Sequence, residues 1–225
     1  MNKVKQATLF GATGLIGNCI LSKLLNDDQF SKVVVATRNL IDFENKKIEV
    51  QFINFDDPEE IKKSISKSSI VFSTIGTTQS KVKGDQTAYR KIDFDITYHV
   101  AQACKFYDVE HFLMVSSGGA DSKSNNFYLK LKGEIDQAVF DLNLNSALIF
   151  RPSLLMGKRK EFRLGERIAQ IILPIISFLM PKNFKPIQAE KVANSMINYS
   201  KSSHVGNKII QNADMQRSID HNNKY

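Results

Sequence analysis

The sequence predicts an α/β protein, a doubly wound parallel sheet with helices on both faces. Three observations support this fold class. Short β-branched runs alternate with longer stretches of helical periodicity. Residues 33–37, Val-Val-Val-Ala-Thr, form a continuous apolar run, which is typical of a parallel strand buried on both faces. Gly11, Gly14 and Gly17 stand between a predicted strand and a predicted helix. Repeated strand–helix units with right-handed crossovers then build a parallel sheet.

The elements follow in order from these patterns. After the first strand and the glycine turn, Ile16, Ile20 and Leu24 are spaced for one face of a helix. Pro58 stands where another helix can begin. We expect strands at residues 7–10, 33–37, 48–52, 70–74, 111–115, 147–150 and 208–211, and further helices over residues 87–107 and around residues 128–134.

The chain of 225 residues has no linker or internal repeat, which predicts one domain. We expect this domain to span residues 1–211. The pattern loosens after Pro152, so residues 152–200 are expected to form most of a small lobe that covers the substrate. The polar residues 212–225 are expected to form a mobile tail.

The charge pattern bears on the partners. The chain carries 31 Lys and Arg against 23 Asp and Glu, a net charge of +8. The basic residues are scattered, except for a compact run at Lys158, Arg159, Lys160 and Arg163. No nucleic-acid-binding module is recognisable, so we expect a solvated basic surface and no specific nucleic-acid partner. The apolar stretch at residues 168–180 contains Pro174 and is shorter than the roughly 20 residues that span a bilayer, so no membrane span is expected.

Two cysteines, Cys19 and Cys104, lie in predicted helices without a CxxC or histidine partner spacing. Neither a disulfide framework nor a metal site is expected from them. The first residues lead directly into the first strand and show no secretion signal. These features together favour a cytoplasmic protein.

The glycine pattern indicates a phosphate site. Glycine lets the backbone turn sharply and approach a pyrophosphate, whose charge is favoured by the free N–H groups at the helix start. The residue after the second strand is Arg38, where an NAD-selective protein usually carries Asp or Glu. A guanidinium there can bind a 2′-phosphate with a forked contact, which favours NADP(H) and leaves NAD(H) as the second candidate. Asn39 could assist, and Asp56 could line the adenine pocket.

Further candidates follow the later strands. Gly76 and Thr77 come after the fourth strand, where a small residue leaves room for a cofactor to cross the sheet edge. Ser116 and Ser117 come after the fifth strand, at the edge where open α/β sheets bind ligands. Tyr128 and Lys132 are four residues apart on the next predicted helix and therefore share one face.

In this order the residues resemble the short-chain dehydrogenase/reductase superfamily, whose members have a Rossmann-type fold. The resemblance narrows to the Tat-interacting-protein oxidoreductases, an atypical branch, and covers about residues 5 to 200. The motifs that carry it are Leu-Phe-Gly-Ala-Thr-Gly at residues 9–14, Gly-Thr-Thr at 76–78, Val-Ser-Ser-Gly-Gly-Ala-Asp at 115–121, Tyr-Leu-Lys-Leu-Lys-Gly-Glu at 128–134 and Phe-Arg-Pro at 150–152.

The resemblance implies a role for each matched position. Tyr128 and Lys132 would meet the nicotinamide ribose, and Leu155 and Arg163 match later positions associated with NADPH. Asp93 stands where many superfamily members carry Asn, so the usual Asn-Ser-Tyr-Lys proton relay is incomplete. The pyrophosphate would be held by Gly11, Ala12, Thr13, Gly14, Leu15, Ile16 and Gly17.

The resulting hypothesis is an NADP(H)-dependent oxidoreductase that transfers hydride between NADPH and a small carbonyl or alcohol substrate. Tyr128 would exchange the proton, aided by the nearby Lys132 ammonium, and Ser117 or Ser116 would donate a hydrogen bond to the substrate oxygen. One alternative is an NADPH-binding regulatory protein with a protein partner and little turnover. A second is a sugar-nucleotide epimerase or dehydratase, which the short carboxyl-terminal lobe disfavours.

Overall fold

The computed structural model describes residues 4–39, 44–157, 181 and 183–217. Each of the seven expected strands occurs within three residues of its predicted bounds, and two short strands join them. In chain order the strands are β1 (Lys5–Phe10), β2 (Phe30–Thr37), β3 (Ile48–Phe52), β4 (Ile70–Ser73), β5 (His111–Val115), β6 (Ser146–Arg151), β7 (Leu155–Met156), β8 (Ile187–Gln188) and β9 (Gly206–Gln211).

Seven strands form one sheet in the order β3-β2-β1-β4-β5-β6-β9, and every pairing in it is parallel. The chain builds outward from β1 to β3, returns to place β4 beside β1, and continues in the other direction to β9. The strand order therefore reverses between β1 and β4. Open parallel sheets bind ligands in the crevice at the carboxyl ends of the strands at such a reversal. The predicted doubly wound sheet is confirmed.

The helices cover both faces of this sheet. Successive strand residues point to opposite faces, so Leu9 joins the core on one face and Phe10 joins the core on the other. In the described part of the chain the helices are α1 (Leu15–Leu25), α2 (Pro58–Ile65), α3 (Gln86–Arg90), α4 (Ile96–Phe106), α5 (Phe127–Asp141), α6 (Ala189–Ser200) and α7 (Asn212–Arg217). The first core contains the apolar sides of α1 and α6, and the second contains those of α2, α4 and α5.

The helix starts differ in a way that matters for the site. The Asp57 carboxylate accepts a hydrogen bond from the Glu59 backbone N–H and caps α2. The Asn126 side chain accepts one from the Leu129 N–H and caps α5. Gly14 is the N-cap residue of α1 and has no side chain with which to cap it. The first N–H groups of α1 are therefore left without this kind of partner.

The long helix expected over residues 87–107 contains a π-helical turn, Lys91–Asp95, between α3 and α4. A π turn holds one extra residue, so it rotates the helix before it relative to the helix after it. The sequence pattern did not reveal this turn, because apolar spacing alone does not separate an α-helix from one with an inserted residue.

The carboxyl-terminal part differs from the expected arrangement of a lobe and a tail. Helix α6 packs on α1 and buries Val192, Ala193 and Met196 in the same core, so it belongs to the layer that covers the sheet. Residues 212–217 form α7, whose Met215 is fully buried, rather than the start of a polar tail. Strands β7 and β8 pair in a small parallel sheet of their own.

The apolar stretch at residues 168–180 and the basic residues Lys158, Arg159, Lys160 and Arg163 lie outside the described residues. Among the residues that are described, no helix is both long and apolar enough to cross a bilayer.

Candidate functional site

The glycine turn after β1 is packed too closely for side chains at two of its positions. Gly11 has a φ of +83°, in the left-handed region that favours glycine. A Cβ at Gly17 would lie 2.1 Å from the Gly11 carbonyl oxygen and 2.7 Å from Oγ1 of Thr74. The Thr74 hydroxyl in turn lies 3.0 and 3.1 Å from the carbonyl oxygens of Phe10 and Gly11. Thr74 thereby fastens the turn to the end of β4, across the crevice.

The start of α1 is exposed at this crevice. Thr13 and Gly14 are exposed, whereas the side chains of Ala12 and Ile16 are buried in the core. Ala12 and Ile16 can therefore reach a ligand only through their backbones. With no acidic residue in its first turn, α1 presents free N–H groups and the positive end of its dipole. This arrangement fits the pyrophosphate of a dinucleotide.

The segment after β7 comes close to the same turn. A Cβ at Gly157 would lie 2.7 Å from Cδ1 of Leu15. Leu155, two residues earlier, is half-buried against the core next to α1. Leu155 packs against the core that α1 also joins, and its role in cofactor binding stays a prediction. Arg163 lies outside the described residues.

The residues predicted to bind the adenosine end lie beyond β2 and β3. Arg38 and Asn39 are exposed, and the Asn39 N–H donates to Thr37 Oγ1 at 3.2 Å. Asp56 is also exposed and forms an ion pair at 2.8 Å with Lys91, the first residue of the π turn. The carboxyl ends of β2 and β3 share one edge of the sheet with the glycine turn, so these side chains lie on the side where an adenosine would bind.

The loop after β4 is hydrogen-bonded to two side chains of the helical segment that follows it, one from α3 and one from the π turn. The Thr77 N–H donates to Oδ2 of Asp93 at 2.7 Å. The Tyr89 hydroxyl donates to the Thr77 carbonyl oxygen at 3.1 Å. A Cβ at Gly76 would meet only Oδ1 of Asp93, at 3.6 Å. The backbone N–H and carbonyl oxygen of Thr77 are therefore both fixed, and Gly76 keeps space beside the crevice.

The Lys132 side chain is buried beside Tyr128, one helical turn further along α5. Its Nζ lies 2.6 Å from Oδ1 of Asp93 and 5.9 Å from the Tyr128 ring centroid. The Lys132 and Asp93 residues are only 5 % and 2 % exposed. Burial lowers the pKa of Lys132, but attraction to Asp93, and then to Tyr128, raises it, and the net shift is upward. Lys132 is therefore an ammonium at neutral pH.

Tyr128 lies at the first turn of α5, in contact with Tyr89. The two rings meet edge to face with centroids 6.2 Å apart, and Tyr89 makes a similar contact with Phe127. Because Tyr89 also holds Thr77, one side chain connects the loop after β4 with the start of α5. The structure therefore brings Tyr128, Lys132 and the Gly76–Thr77 loop together.

The two serines after β5 have different surroundings. Ser116 is buried, whereas Ser117 is half-buried and its hydroxyl donates to the Gly118 carbonyl oxygen at 3.3 Å. The Ser116 hydroxyl instead acts on Asp136, whose pKa it lowers against the larger upward effect of burial. Of the two, Ser117 is the serine with exposed surface at the carboxyl edge.

A second buried ion pair lies one turn further along α5. Asp136 Oδ2 accepts from Arg151 Nε at 2.9 Å and lies 2.8 Å from a terminal guanidinium nitrogen. Burial raises the pKa of Asp136, while Ser116 and Arg151 oppose the rise. Lys132 and Asp136 are four residues apart and share one helix face. That face of α5 therefore carries a buried cation, Lys132, and one turn later a buried anion, Asp136.

Sequence reasoning did not single out Thr74, Tyr89, Asp136 or Arg151 as members of the site. Signals for some of them were present. Asp136 continues the four-residue spacing of Tyr128 and Lys132, and Arg151 lies in the Phe-Arg-Pro motif. Tyr89 gave no local signal, because its two contacts depend on the fold. In the parts of the chain that the structure describes, no cluster of three or more His, Cys, Asp or Glu side chains could hold a metal ion.

Comparison with known proteins shows the family. A family model described as NAD(P)H-binding matches residues 11–163, more than half of the chain. Protein FMP52, mitochondrial, from Candida albicans is 34% identical over 169 residues, 73% of this chain and 73% of its own length. Protein HTATIP2 from Rattus norvegicus is 30% identical over 74% of this chain and 69% of its own length.

Solved structures share the fold at much lower identity. The Bordetella bronchiseptica enzyme WbmH, determined in complex with NAD+, aligns with a TM-score of 0.70 at 16% identity, over 92% of this chain and 75% of that one. The UDP-N-acetylglucosamine 4-epimerase of Methanobrevibacter ruminantium aligns with a TM-score of 0.69 at 15% identity, over 93% of this chain and 77% of that one. Likeness at this level concerns the fold alone.

One expectation from the sequence is wrong. A cytoplasmic location was expected, yet the Candida albicans relative and the Scheffersomyces stipitis relative FMP52-1 are named as mitochondrial proteins. The expectation rested on unpaired cysteines and the lack of a secretion signal, and these features do not separate the cytoplasm from an organelle. The chain belongs to the NAD(P)H-binding family, as an atypical short-chain dehydrogenase/reductase relative of HTATIP2 and FMP52.

Proposed function

We propose that the protein is an NADP(H)-dependent oxidoreductase that interconverts a carbonyl and an alcohol, with Tyr128 as proton donor and acceptor. One observation carries the proposal. The Asp93 carboxylate contacts both the Lys132 ammonium and the Thr77 N–H, at 2.6 and 2.7 Å. Asp93 therefore links the loop where a cofactor would cross the sheet edge to the helix that carries Tyr128.

When bound, the nicotinamide would supply or accept a hydride. Tyr128 would give its phenolic proton to the substrate oxygen in reduction and take it back in oxidation. Ser117 would donate a hydrogen bond to that oxygen, which stabilises the charge that develops on it. Lys132 would hold the ribose through its ammonium protons. Positioned proton transfer of this kind contributes roughly 100-fold to 10,000-fold in rate.

The preference for NADP(H) over NAD(H) is supported by the charge beyond β2. Arg38 is an exposed cation at the carboxyl edge of the sheet, followed by Asn39. A guanidinium can donate two parallel hydrogen bonds to a phosphate, whereas a ribose hydroxyl offers no matching charge. Binding of the 2′-phosphate would then depend on Arg38 and on salt concentration.

The proton-transfer role is tested by Tyr128→Phe. NADPH consumption is followed with a panel of aliphatic and aromatic aldehydes and ketones, and NADPH binding is titrated separately. We expect binding to persist and turnover to fall by about 100-fold or more, because only the phenolic hydroxyl is removed. Tyr107→Phe, at the end of α4 and away from the crevice, is the matched control and should keep both properties. Full turnover by Tyr128→Phe on a substrate of the wild type would refute the assignment.

The cofactor preference is tested by parallel NADPH and NADH titrations of the wild type and Arg38→Ala. The wild type should bind NADPH more tightly, and the variant should lose about tenfold or more of that preference, since charge-assisted hydrogen bonds contribute about 1.5–3 kcal/mol. Arg217→Ala removes an exposed arginine from α7 and should change neither affinity. Equal affinities of the wild type for both nucleotides would contradict the preference.

The alternative of a regulatory NADPH-binding protein is favoured by one feature, the carboxylate of Asp93 at the position where an Asn is usual. It predicts tight NADPH binding, no oxidation of NADPH with any compound of the panel, and a protein partner captured only when NADPH is present. That combination would replace the enzymatic proposal.

We also infer a mitochondrial location from the two fungal relatives named above. The test is fractionation of cells that express the tagged chain, followed by protease protection of the mitochondrial fraction. Co-purification with a mitochondrial marker is the expected result, and recovery with a cytosolic marker would refute it.

A further inference from the structure

Asp93 is a buried anion directly beside the ammonium of the proposed catalytic pair. Its Oδ1 lies 2.6 Å from Lys132 Nζ, and its Oδ2 accepts the Thr77 N–H at 2.7 Å. The Asp93 side chain is 1 % exposed, so water does not screen it from Lys132. The carboxylate therefore offsets most of the charge that Lys132 would otherwise exert on its surroundings.

The backbone around Asp93 is built to place it there. Asp93 is the central residue of the π-helical turn Lys91–Asp95, which interrupts the helix formed by α3 and α4. Such turns occur mostly as single insertions and frequently at functional sites. Here the turn directs Asp93 toward α5 while the residues before it present Tyr89 to Tyr128 and Thr77.

The charges that act on Tyr128 come from several elements. On its own helix, Lys132 Nζ is 5.9 Å from the ring centroid, and Asp136 lies one turn further on. From α3, the Tyr89 phenol contacts the ring, and Arg90 pairs with Glu134 of α5 at 2.5 Å. From β6, Arg151 pairs with Asp136 at 2.8 Å. Each of the two outer pairs combines opposite charges, and Lys132, paired with Asp93, is the cation beside the Tyr128 ring.

We propose that Asp93 is a positioning residue that acts through Lys132 and keeps Tyr128 in its protonated, proton-donating form up to higher pH than an Asn there would. With an Asn, the ammonium would attract the phenolate without an opposing anion. With Asp93, the pair Lys132–Asp93 is close to neutral. The site is thereby biased toward reduction, in which Tyr128 must begin with its proton. This inference rests on the proposed function.

The test measures the ionisation of Tyr128 directly. The full chain is labelled with ¹³C at the tyrosine Cζ, and the resonances of its six tyrosines are followed as the pH is raised. Tyr128→Phe identifies the resonance by its loss. In Asp93→Asn, which keeps an oxygen to accept the Thr77 N–H, the Tyr128 midpoint should fall by on the order of one to two pH units.

Two further variants keep the result interpretable. Asp93→Ser also removes the charge and should lower the midpoint, so it replaces Asp93→Asn if that variant does not fold. Lys132→Met removes the ammonium and leaves the anion, so the midpoint should rise. An unchanged or raised Tyr128 midpoint in the folded Asp93 variant would overturn the proposal. A purely structural role would lower stability without moving the midpoint downward.

The titration needs no substrate and no turnover, so it separates this inference from the proposed function. If Tyr128→Phe keeps full turnover while Asp93→Asn lowers the Tyr128 midpoint, the electrostatic role stands and the catalytic role falls. If an active substrate is found, the alkaline limit of the reduction rate should move to lower pH in Asp93→Asn by the same interval as the midpoint.

Discussion

At the scale of single residues, the site depends on two buried carboxylates, each paired with one cation. Asp93 pairs with Lys132 and Asp136 with Arg151, in both cases across two elements of the fold. Breaking a buried pair by removing one partner leaves an uncompensated charge, which is strongly destabilising. The sequence singled out Tyr128 and Lys132 because their spacing is local. It could not pair Lys132 with Asp93, since nothing local connects the π turn with α5.

The packing at Gly17 leads to a first prediction. Gly17→Ala would place a Cβ 2.1 Å from the Gly11 carbonyl oxygen, a backbone atom that cannot move without opening the turn. We expect a loss of about 1–3 kcal/mol in the free energy of unfolding, measured with urea, and weaker NADPH binding. Gly76→Ala is the control for stability alone, because its Cβ would meet only Asp93 Oδ1 at 3.6 Å. Equal stability of Gly17→Ala and the wild type would contradict the close packing.

The Asp136–Arg151 pair predicts a pH dependence. Burial raises the pKa of Asp136, and Arg151 opposes the rise, so Arg151→Met should raise the pKa further. A carboxyl with a raised pKa in the folded state contributes stability at low pH, and this contribution is lost as the pH rises through that pKa. Arg151→Met should therefore lose about 3–5 kcal/mol near neutral pH and clearly less near pH 4.

Urea unfolding at several pH values measures this effect. The double variant Asp136→Asn/Arg151→Met carries no unpaired charge, so it should regain part of the stability and lose the added pH dependence. A loss in Arg151→Met that is the same at about pH 4 and about pH 7 would show that packing, not charge, explains it.

At the scale of elements, local patterns predicted the strands well and the helix insertion not at all. A strand such as β5 is marked by its own run of apolar residues, His111–Val115. The π turn at Lys91–Asp95 is instead stabilised by what its side chains meet in the fold, where Asp93 reaches Lys132 and Thr77. These tertiary contacts offset the free-energy cost of the π turn. They do not appear in the apolar periodicity of the sequence.

Deleting Lys91 tests the π turn as an element. The deletion would let α3 and α4 join as one α-helix and would rotate α3 by roughly 100° relative to α4. Tyr89 would then leave Tyr128 and Thr77, so NADPH binding should weaken and the near-UV circular dichroism of the tyrosines should change. Lys91→Ala removes the exposed ion pair with Asp56 without changing the register, and should cost within about 0.5 kcal/mol. Unchanged NADPH binding in the deletion variant would argue against a role for the turn.

At the scale of the whole molecule, hydrogen bonds between residues far apart in sequence hold the carboxyl-terminal half together. Asn212, at the start of α7, is buried and accepts from the Ser153 N–H at 3.0 Å while donating to the Lys185 carbonyl oxygen at 2.9 Å. The segment after β6 and the segment before β8 are thereby held by one side chain. No local pattern distinguishes this Asn from the polar residues that follow it.

Asn212→Ala should therefore destabilise the protein, because it removes the acceptor of the Ser153 N–H and one donor to the Lys185 carbonyl oxygen, which the Ser153 hydroxyl also contacts. These two hydrogen bonds of Asn212 are partly buried. We expect a loss of about 1–3 kcal/mol in urea unfolding. Asn207→Ala removes an exposed side chain that donates to the Phe140 carbonyl oxygen, and should have little effect. If the two variants lose the same stability, Asn212 does not hold these segments together.

The parallel α/β sheet, the glycine turn and the Tyr128–Lys132 spacing can all be read from the amino-acid sequence, as can the position of each candidate residue after its strand. These features are local, since the pattern that predicts a strand, a turn or a helix face lies within a few neighbouring residues. Three contacts become visible in the folded protein alone: Asp93 pairs with Lys132, Tyr89 links Thr77 to Tyr128, and α6 packs on α1. Those contacts join distant parts of the chain, and their geometry is set by the crossovers and the π turn rather than by any short pattern.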